Sequence, residues 1–256
     1  MTPSRSACLG LWPHNRSKLL LGMLHLKGEG QRDILDRARK ESEIFSEEGF
    51  DGVIVENYFG SYDDVVYCLP RILEEFPQLF VGVDIIWDND KSFDLAVEYQ
   101  LPFIQLDSLA GQLPPEQEPA FEERVNWCQE NSPTVILGGV RLKNQPVLSG
   151  NSLEEDLHRA MRRGDGIIVT GRATGVETEI EKISTFREII GDFPLIVGAG
   201  VRASNCVEQL RGGRDPGLDG GQDGESGVGG DGDAHGDLER PRVAELVRLV
   251  RKLEGH

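Results

Sequence analysis

Seven short apolar segments each end in a polar or small residue able to move a proton or approach an anion. His25 follows Met23, Glu56 follows Ile54, Asp84 follows Gly82, Asp107 follows Gln105, and Lys143 follows Arg141 and Gly139, each at a spacing of two. Thr170 follows Ile168 and Gly198 follows Ile196 at the same spacing. Side chains two apart lie on one face of a β-strand, so each set shares a face. Carboxylates gathered on such a face raise one another's pKa and suit proton transfer or the binding of a divalent cation. A lysine among them suits acid–base or Schiff-base chemistry, and His25 suits a general acid or a hydrogen-bonded residue of the rim. Taken singly, each residue is more simply a loop hydrogen-bonder, and the acids more simply salt-bridge partners of Lys143 and Arg141. The repetition from strand to strand favours a site. The candidate catalytic residues are Glu56, Asp84, Asp107, Lys143 and His25, with Gln105 and Arg141 as substrate contacts.

Two glycine-bearing turns complete the set. Thr170-Gly171-Arg172 and Gly198-Ala199-Gly200 follow the sixth and seventh segments. Backbone N–H groups in such turns cradle anions, and Arg172 adds a cation. The alternative is a tight turn into the next helix, capped by Ser204 or Asn205.

The elements that position these residues repeat. Apolar, β-branched runs start at Leu19, Gly52, Phe80, Phe103, Thr134, Gly166 and Pro194, separated by 23 to 33 residues, the length of a strand, a crossover helix and two loops. The segments between have helical spacing: Leu35, Ala38, Ser42 and Phe45 in the first, Leu153, Leu157, Ala160 and Met161 in the fifth, Ile180, Ile183, Arg187 and Ile190 in the sixth. Ser152 with Glu155 reads as a capping box. Val243, Leu246, Val247, Val250 and Leu253 form a last amphipathic helix with no strand legible before it. The pattern predicts a parallel α/β fold, a (βα)8 TIM barrel over residues 19–256 behind an 18-residue leader. The polar groups fall at the C-terminal ends of the strands, where such barrels build active sites.

The eighth strand is the exception. Residues 211–236 hold 11 of the chain's 31 glycines, and glycine weakens a strand interior. The expectation is a flexible loop, with the eighth strand degraded or missing and an open edge between strands seven and one.

Composition narrows the partners. A net charge of −17 with no basic stripe excludes a nucleic-acid binder that works by counterion release. Four widely separated cysteines suggest neither a disulfide framework nor a zinc cluster. No run approaches the roughly 18 apolar residues of a transmembrane helix. The expectation is a cytoplasmic protein, with attachment to a membrane surface as the alternative. It requires no cofactor unless the acids hold a divalent cation, and it is compatible with a homo-oligomer.

Five stretches carry a family resemblance: LGMLHL (21–26), EEGFDGVIVEN (47–57), DGIIVTGRATG (165–175), PLIVGAGV (194–201) and DGDAHGDLERPRV (231–243). Together they resemble the BtpA/SgcQ family, similar to phosphate-binding TIM barrels. The resemblance implies a phosphorylated small molecule as ligand, a sugar phosphate or nucleotide-derived compound. Its alternative is a peripheral factor of photosystem I biogenesis. Three departures stand out. KGEGQRD replaces the family's proline-rich loop after the first strand, Lys143-Asn144 replaces a Lys-His pair, and the glycine-rich stretch replaces an apolar eighth strand. An abrupt switch of composition and an abrupt return at Asp231 is also the trace that compensating frameshifts leave in a GC-rich gene.

Overall fold

Each β-branched run becomes a strand and each amphipathic segment a helix. A computed structural model describes residues 18–143, 145–173, 175–212, 226–228 and 238–253. The strands are β1 (Leu20–Leu24), β2 (Gly52–Glu56), β3 (Phe80–Asp84), β4 (Phe103–Ala110), β5 (Val135–Val140), β6 (Gly166–Thr170), β7 (Leu195–Gly198) and β8 (Ser226–Val228). They alternate with α1 (Gly30–Glu48), α2 (Tyr62–Glu75), α3 (Asn89–Tyr99), α4 (Glu118–Asn131), α5 (Leu153–Arg163), α6 (Ile180–Ile190), α7 (Cys206–Arg211) and α8 (Arg240–Leu253). The strands form one closed parallel barrel in chain order.

Alternation along the strands sorts the apolar side chains into two cores. Leu19, Leu21, Ile54, Phe103, Val135, Leu137, Ile168 and Ile196 fill the barrel interior, with Met23 and Phe80 against them. The opposite faces, such as Val53, Val55, Ile104 and Leu106, pack on the helices, where α1 buries Leu35, Ala38, Ser42 and Phe45. The Ser152–Glu155 capping box opens α5, and an equivalent box, Ser61 with Asp64, opens α2. These boxes satisfy N–H groups that a helix start leaves without partners.

The ring closes through β8, which corrects the open edge expected from composition. Ser226, Gly227 and Val228 pair with Leu20, Leu21 and Gly22, and Ser226 also pairs with Val197. Main-chain groups alone make this ladder, so a glycine-rich stretch can supply it. The eighth strand is thus reduced to three residues rather than missing. Residues 213–225 and 229–237, and the proposed leader apart from Lys18, lie outside the described residues. Beyond the short strand, α8 buries Val243, Leu246, Val247 and Val250 against the barrel's outer layer. Among the described residues no helix is long and apolar enough to cross a membrane.

Candidate active site

Above the inner core the same strand faces turn polar. A cavity of about 470 Å³ opens at the C-terminal mouth, with His25, Glu56, Asp84, Gln105, Asp107, Lys143 and Thr170 in its lining. The register explains the crowding of acids: Glu56 of β2 is paired with Asp84 of β3 across the parallel ladder, so two carboxyls stand side by side. From β4, the Gln105 side-chain amide donates to Asp84 Oδ2 at 2.6 Å. Asp107, two residues on, accepts the backbone N–H of Trp87 at 2.8 Å. His25 Nε2 lies 3.2 Å from Glu56 Oε2, close but without hydrogen-bond alignment. Glu56 Oε2, Asp84 Oδ1 and Thr170 Oγ1 are buried and have no hydrogen-bond partner.

Burial dominates the electrostatics of this group. It pushes Glu56 up to about 8, assisted by the neighbouring Asp107 and opposed by Lys143. Burial, then Glu56 and Asp107, raise Asp84 well above the usual carboxylate range, against the amide of Gln105. Asp107 is also raised by burial, less so because of the Trp87 N–H and Lys143. Burial lowers Lys143, while Glu56 and Asp107 oppose the shift, and burial together with Lys143 lowers His25 to about 4. Near neutral pH the usual order is therefore inverted, with Glu56 protonated and His25 neutral. A carboxyl that holds its proton near neutral pH is suited to act as a general acid. Among the described residues no three His, Cys, Asp or Glu side chains are placed as a ligand set for a metal ion.

The glycine-bearing wall is more selective than its sequence suggests. Gly198, Ala199, Gly200 and Gly175 line the cavity, and Ala199 and Gly200 are successive left-handed residues, at φ 63° and 64°. Gly200 also needs to be small: a Cβ there would meet Glu177 N at 2.5 Å. Thr178 Oγ1 donates to Gly198 O, and Asn205 Nδ2 donates to both Gly200 O and Glu177 Oε2, which ties the β6 and β7 turns together. Gly171 is a packing glycine outside the cavity, since a Cβ would strike the backbone oxygens of Val176 and Glu177. Arg172 points to solvent, its side chain 84 % exposed, and pairs with Glu179.

Arg141 also departs from the expected placement. β5 ends at Val140, and Arg141 takes φ 51°, so the alternation that aimed it inward is broken. Its guanidinium instead donates to the buried Asp156 at 2.8 Å and to Asn151 O at 2.6 Å. Arg141→Ala is therefore expected to lower stability by about 2–4 kcal/mol, because it removes the cation from a buried carboxylate to which Ser149 and Asn151 also donate. Denaturant titration checks this, and the affinity of any ligand at the mouth should not change.

Sequence reasoning missed Asn57, Tyr58 and Trp87, which line the same cavity from the turns after β2 and β3. Asn57 Oδ1 accepts the Ile86 N–H at 2.7 Å and so helps hold the β3 turn in place. The run of aromatics at Tyr58 and Phe59 was the available signal, but strand alternation does not extend into a turn.

This architecture has known relatives, and a family sequence model matches residues 16–215. The chain belongs to the BtpA family. The match ends where the glycine-rich stretch begins. A relative in Methanocaldococcus jannaschii, an uncharacterized protein, is 27% identical over an alignment that covers 94% of this chain and 98% of its own length. The photosystem I biogenesis protein BtpA of Synechocystis is 26% identical over 75% of this chain and 76% of its own. Among solved structures, phosphoribosyl anthranilate isomerase of Thermus thermophilus superposes with a TM-score of 0.57 at 11% identity, covering 92% of this chain and 99% of that one. At that identity the likeness is one of barrel fold.

Proposed function

We propose that this BtpA-family chain is an enzyme acting on a phosphorylated small molecule, a sugar phosphate or nucleotide-derived compound, at the C-terminal mouth of the barrel. The observation that carries the reading is the convergence of Glu56, Asp84, Asp107, Lys143 and His25 on one cavity, with buried carboxyl oxygens left without partners. Burying such groups uncompensated is costly, and a barrel that served only as a scaffold would gain stability by replacing them. In this reading Glu56 is the proton donor, its affinity for the proton set by burial with Asp107 and Lys143. Asp84 is a second protonated acid beside it, and the neutral His25 is a hydrogen-bonding group for the substrate. Gln105 positions Asp84. Thr170, Gly198 and Gly200 take the phosphate, supported by the left-handed pair at Ala199 and Gly200 and by the common use of the last turns of such barrels for phosphate. The name of the Thermus structural neighbour, a phosphoribosyl compound isomerase, fits the same substrate class.

A second reading, a non-catalytic biogenesis or stabilising factor, is favoured by the name of the Synechocystis relative. A thermal-shift screen of sugar phosphates and nucleotides separates the two. A ligand at 100 times its Kd stabilises the folded state by about 2.7 kcal/mol, which raises Tm by about 5–10 °C in a chain of this size. Absence of any shift across the library rejects the enzyme reading.

A further inference from the structure

We propose that the ligand of this site carries a planar ring as well as a phosphate, as a nucleotide does, and that Trp87 with Tyr58 forms the surface on which the ring stacks. The inference rests on the phosphate reading above and narrows it to one class of compound.

Three observations carry it. Trp87 lines the cavity yet is 69% exposed, the most exposed large apolar residue among those described. Its backbone is left-handed, at φ 67°, a conformation that costs a residue with a Cβ and persists only where its surroundings enforce it. Here the enforcement is visible: Asn57 holds the N–H of Ile86, and Asp107, from the acid cluster, holds that of Trp87. An indole presented to solvent from a backbone fixed in this way is a preorganised binding face. Tyr58 extends the aromatic surface. Its ring centroid lies 5.1 Å from that of His25 and 4.8 Å from that of Phe59, so these three rings form one patch beside the proton-transfer group, and Tyr58 and Trp87 line the same cavity.

Topology supplies the other end of the ligand. Tyr58 and Trp87 follow β2 and β3, whereas Thr170, Gly175 and the Gly198–Gly200 turn follow β6 and β7. In a closed ring of eight, strands four places apart lie opposite each other, so the aromatic and glycine walls face across the mouth. Glu56 and Asp84 end the strands below the aromatic wall, and Asp107, on β4, and Lys143, just beyond β5, belong to the part of the ring between the two walls. A ligand with phosphate at one wall and a ring at the other passes over the acid group, and a cavity of about 470 Å³ suits a compound larger than a triose phosphate.

Calorimetric titration of the full chain with the four common ribonucleoside 5′-monophosphates, the corresponding nucleosides, ribose 5-phosphate and glucose 6-phosphate tests this. At least one nucleotide is expected to bind roughly tenfold or more tighter than ribose 5-phosphate, the usual worth of one base stacked on an aromatic side chain. Trp87→Ala should erase that advantage while leaving ribose 5-phosphate affinity and Tm unchanged, and Trp87→Phe should restore most of it. Tyr58→Ala gives an independent, smaller loss of the same kind. Equal affinity for ribose 5-phosphate and every nucleotide, or a Trp87-dependent preference for glucose 6-phosphate, overturns the planar-ring proposal and leaves the phosphate reading standing. Nucleosides that bind as tightly as their phosphates remove the phosphate reading and keep the aromatic wall. Binding by none of these compounds rejects both.

Discussion

Glu56→Gln is expected to stabilise the protein at alkaline pH while removing its activity. In the unfolded chain the carboxyl titrates at its ordinary value of 4.5, and in the folded chain it titrates at about 8, chiefly through burial and then through the charge of Asp107. Folding therefore takes up a proton at Glu56 between those two values. The contribution of Glu56 to wild-type stability must fall as pH rises through that window and level off above about 8, since the folded state is the one that binds the extra proton. Glutamine mimics the protonated acid and has no such slope. The two proteins should melt together near pH 4 and diverge to a plateau above pH 8, with the variant ahead by about 2–4 kcal/mol, or about 4–16 °C in Tm. The gain is smaller than an isolated group would give, because in the wild type Asp84 keeps its proton when Glu56 ionises, which softens the loss. Calorimetric melting curves from pH 4 to 9 provide the check, and parallel Tm-versus-pH lines for the two proteins would sink the assignment. The same substitution removes the transferable proton beside His25. Turnover of whichever phosphate the screen identifies should then drop by about 10²–10⁴, the usual worth of a general acid or base. A site that is less stable for its chemistry is the pattern expected of function rather than of scaffold.

The inward-facing half of this site was legible because strand alternation is a strict rule. His25, Glu56, Asp84, Gln105, Asp107 and Thr170 each lie an even number of residues from an apolar core position of their own strand, such as Leu21, Ile54, Phe80, Phe103 or Ile168, and all reach the cavity. The rule fails where the strand stops. β5 ends at Val140, one residue before Arg141, and the left-handed turn there redirects that side chain to Asp156. Apolar runs such as Gly52–Phe59 and Phe80–Trp87 overran their strands, which end at Glu56 and Asp84, because the residues beyond are turn residues that happen to be apolar. Those turns hold Tyr58 and Trp87. Register was not legible at all, so the side-by-side placement of Glu56 and Asp84, from which their mutual effect follows, needed the structure. The three-residue β8 was invisible for a different reason: its ladder is made by main-chain groups, on which composition is silent.

Removal of Arg251 is expected to loosen the barrel at the end opposite the site. Because β8 contributes only three residues, α8 is held by its apolar face, by the exposed pairing of Arg240 with Glu47 and Glu48, and by a buried polar anchor at the floor. Arg251 there donates to Lys18 O at 2.7 Å, Gly49 O at 3.0 Å and Asp51 Oδ2 at 2.7 Å. Asp51 Oδ2 in turn accepts the N–H of Leu20, the first residue of β1, at 2.8 Å. One arginine from the last helix thus joins the segments that lead into β1 and β2. The Asp51 side chain is 5 % exposed, so Arg251→Met takes the guanidinium away from a buried carboxylate and from two carbonyls. Breaking such a pair from one side costs about 3–5 kcal/mol, or roughly 6–20 °C in Tm. Adding Asp51→Asn should recover part of that loss, since the amide needs no counter-charge while it still accepts from Leu20. A cost under about 1 kcal/mol, in the range of a solvent-screened surface pair, would mean that the apolar face of α8 closes the barrel without help. The cavity lies at the other end of the strands, so ligand affinity measured below the melting range should be the same in wild type and variant. A fall in affinity with Arg251→Met would instead tie the geometry of the mouth to closure at the floor, through the three-residue strand they share.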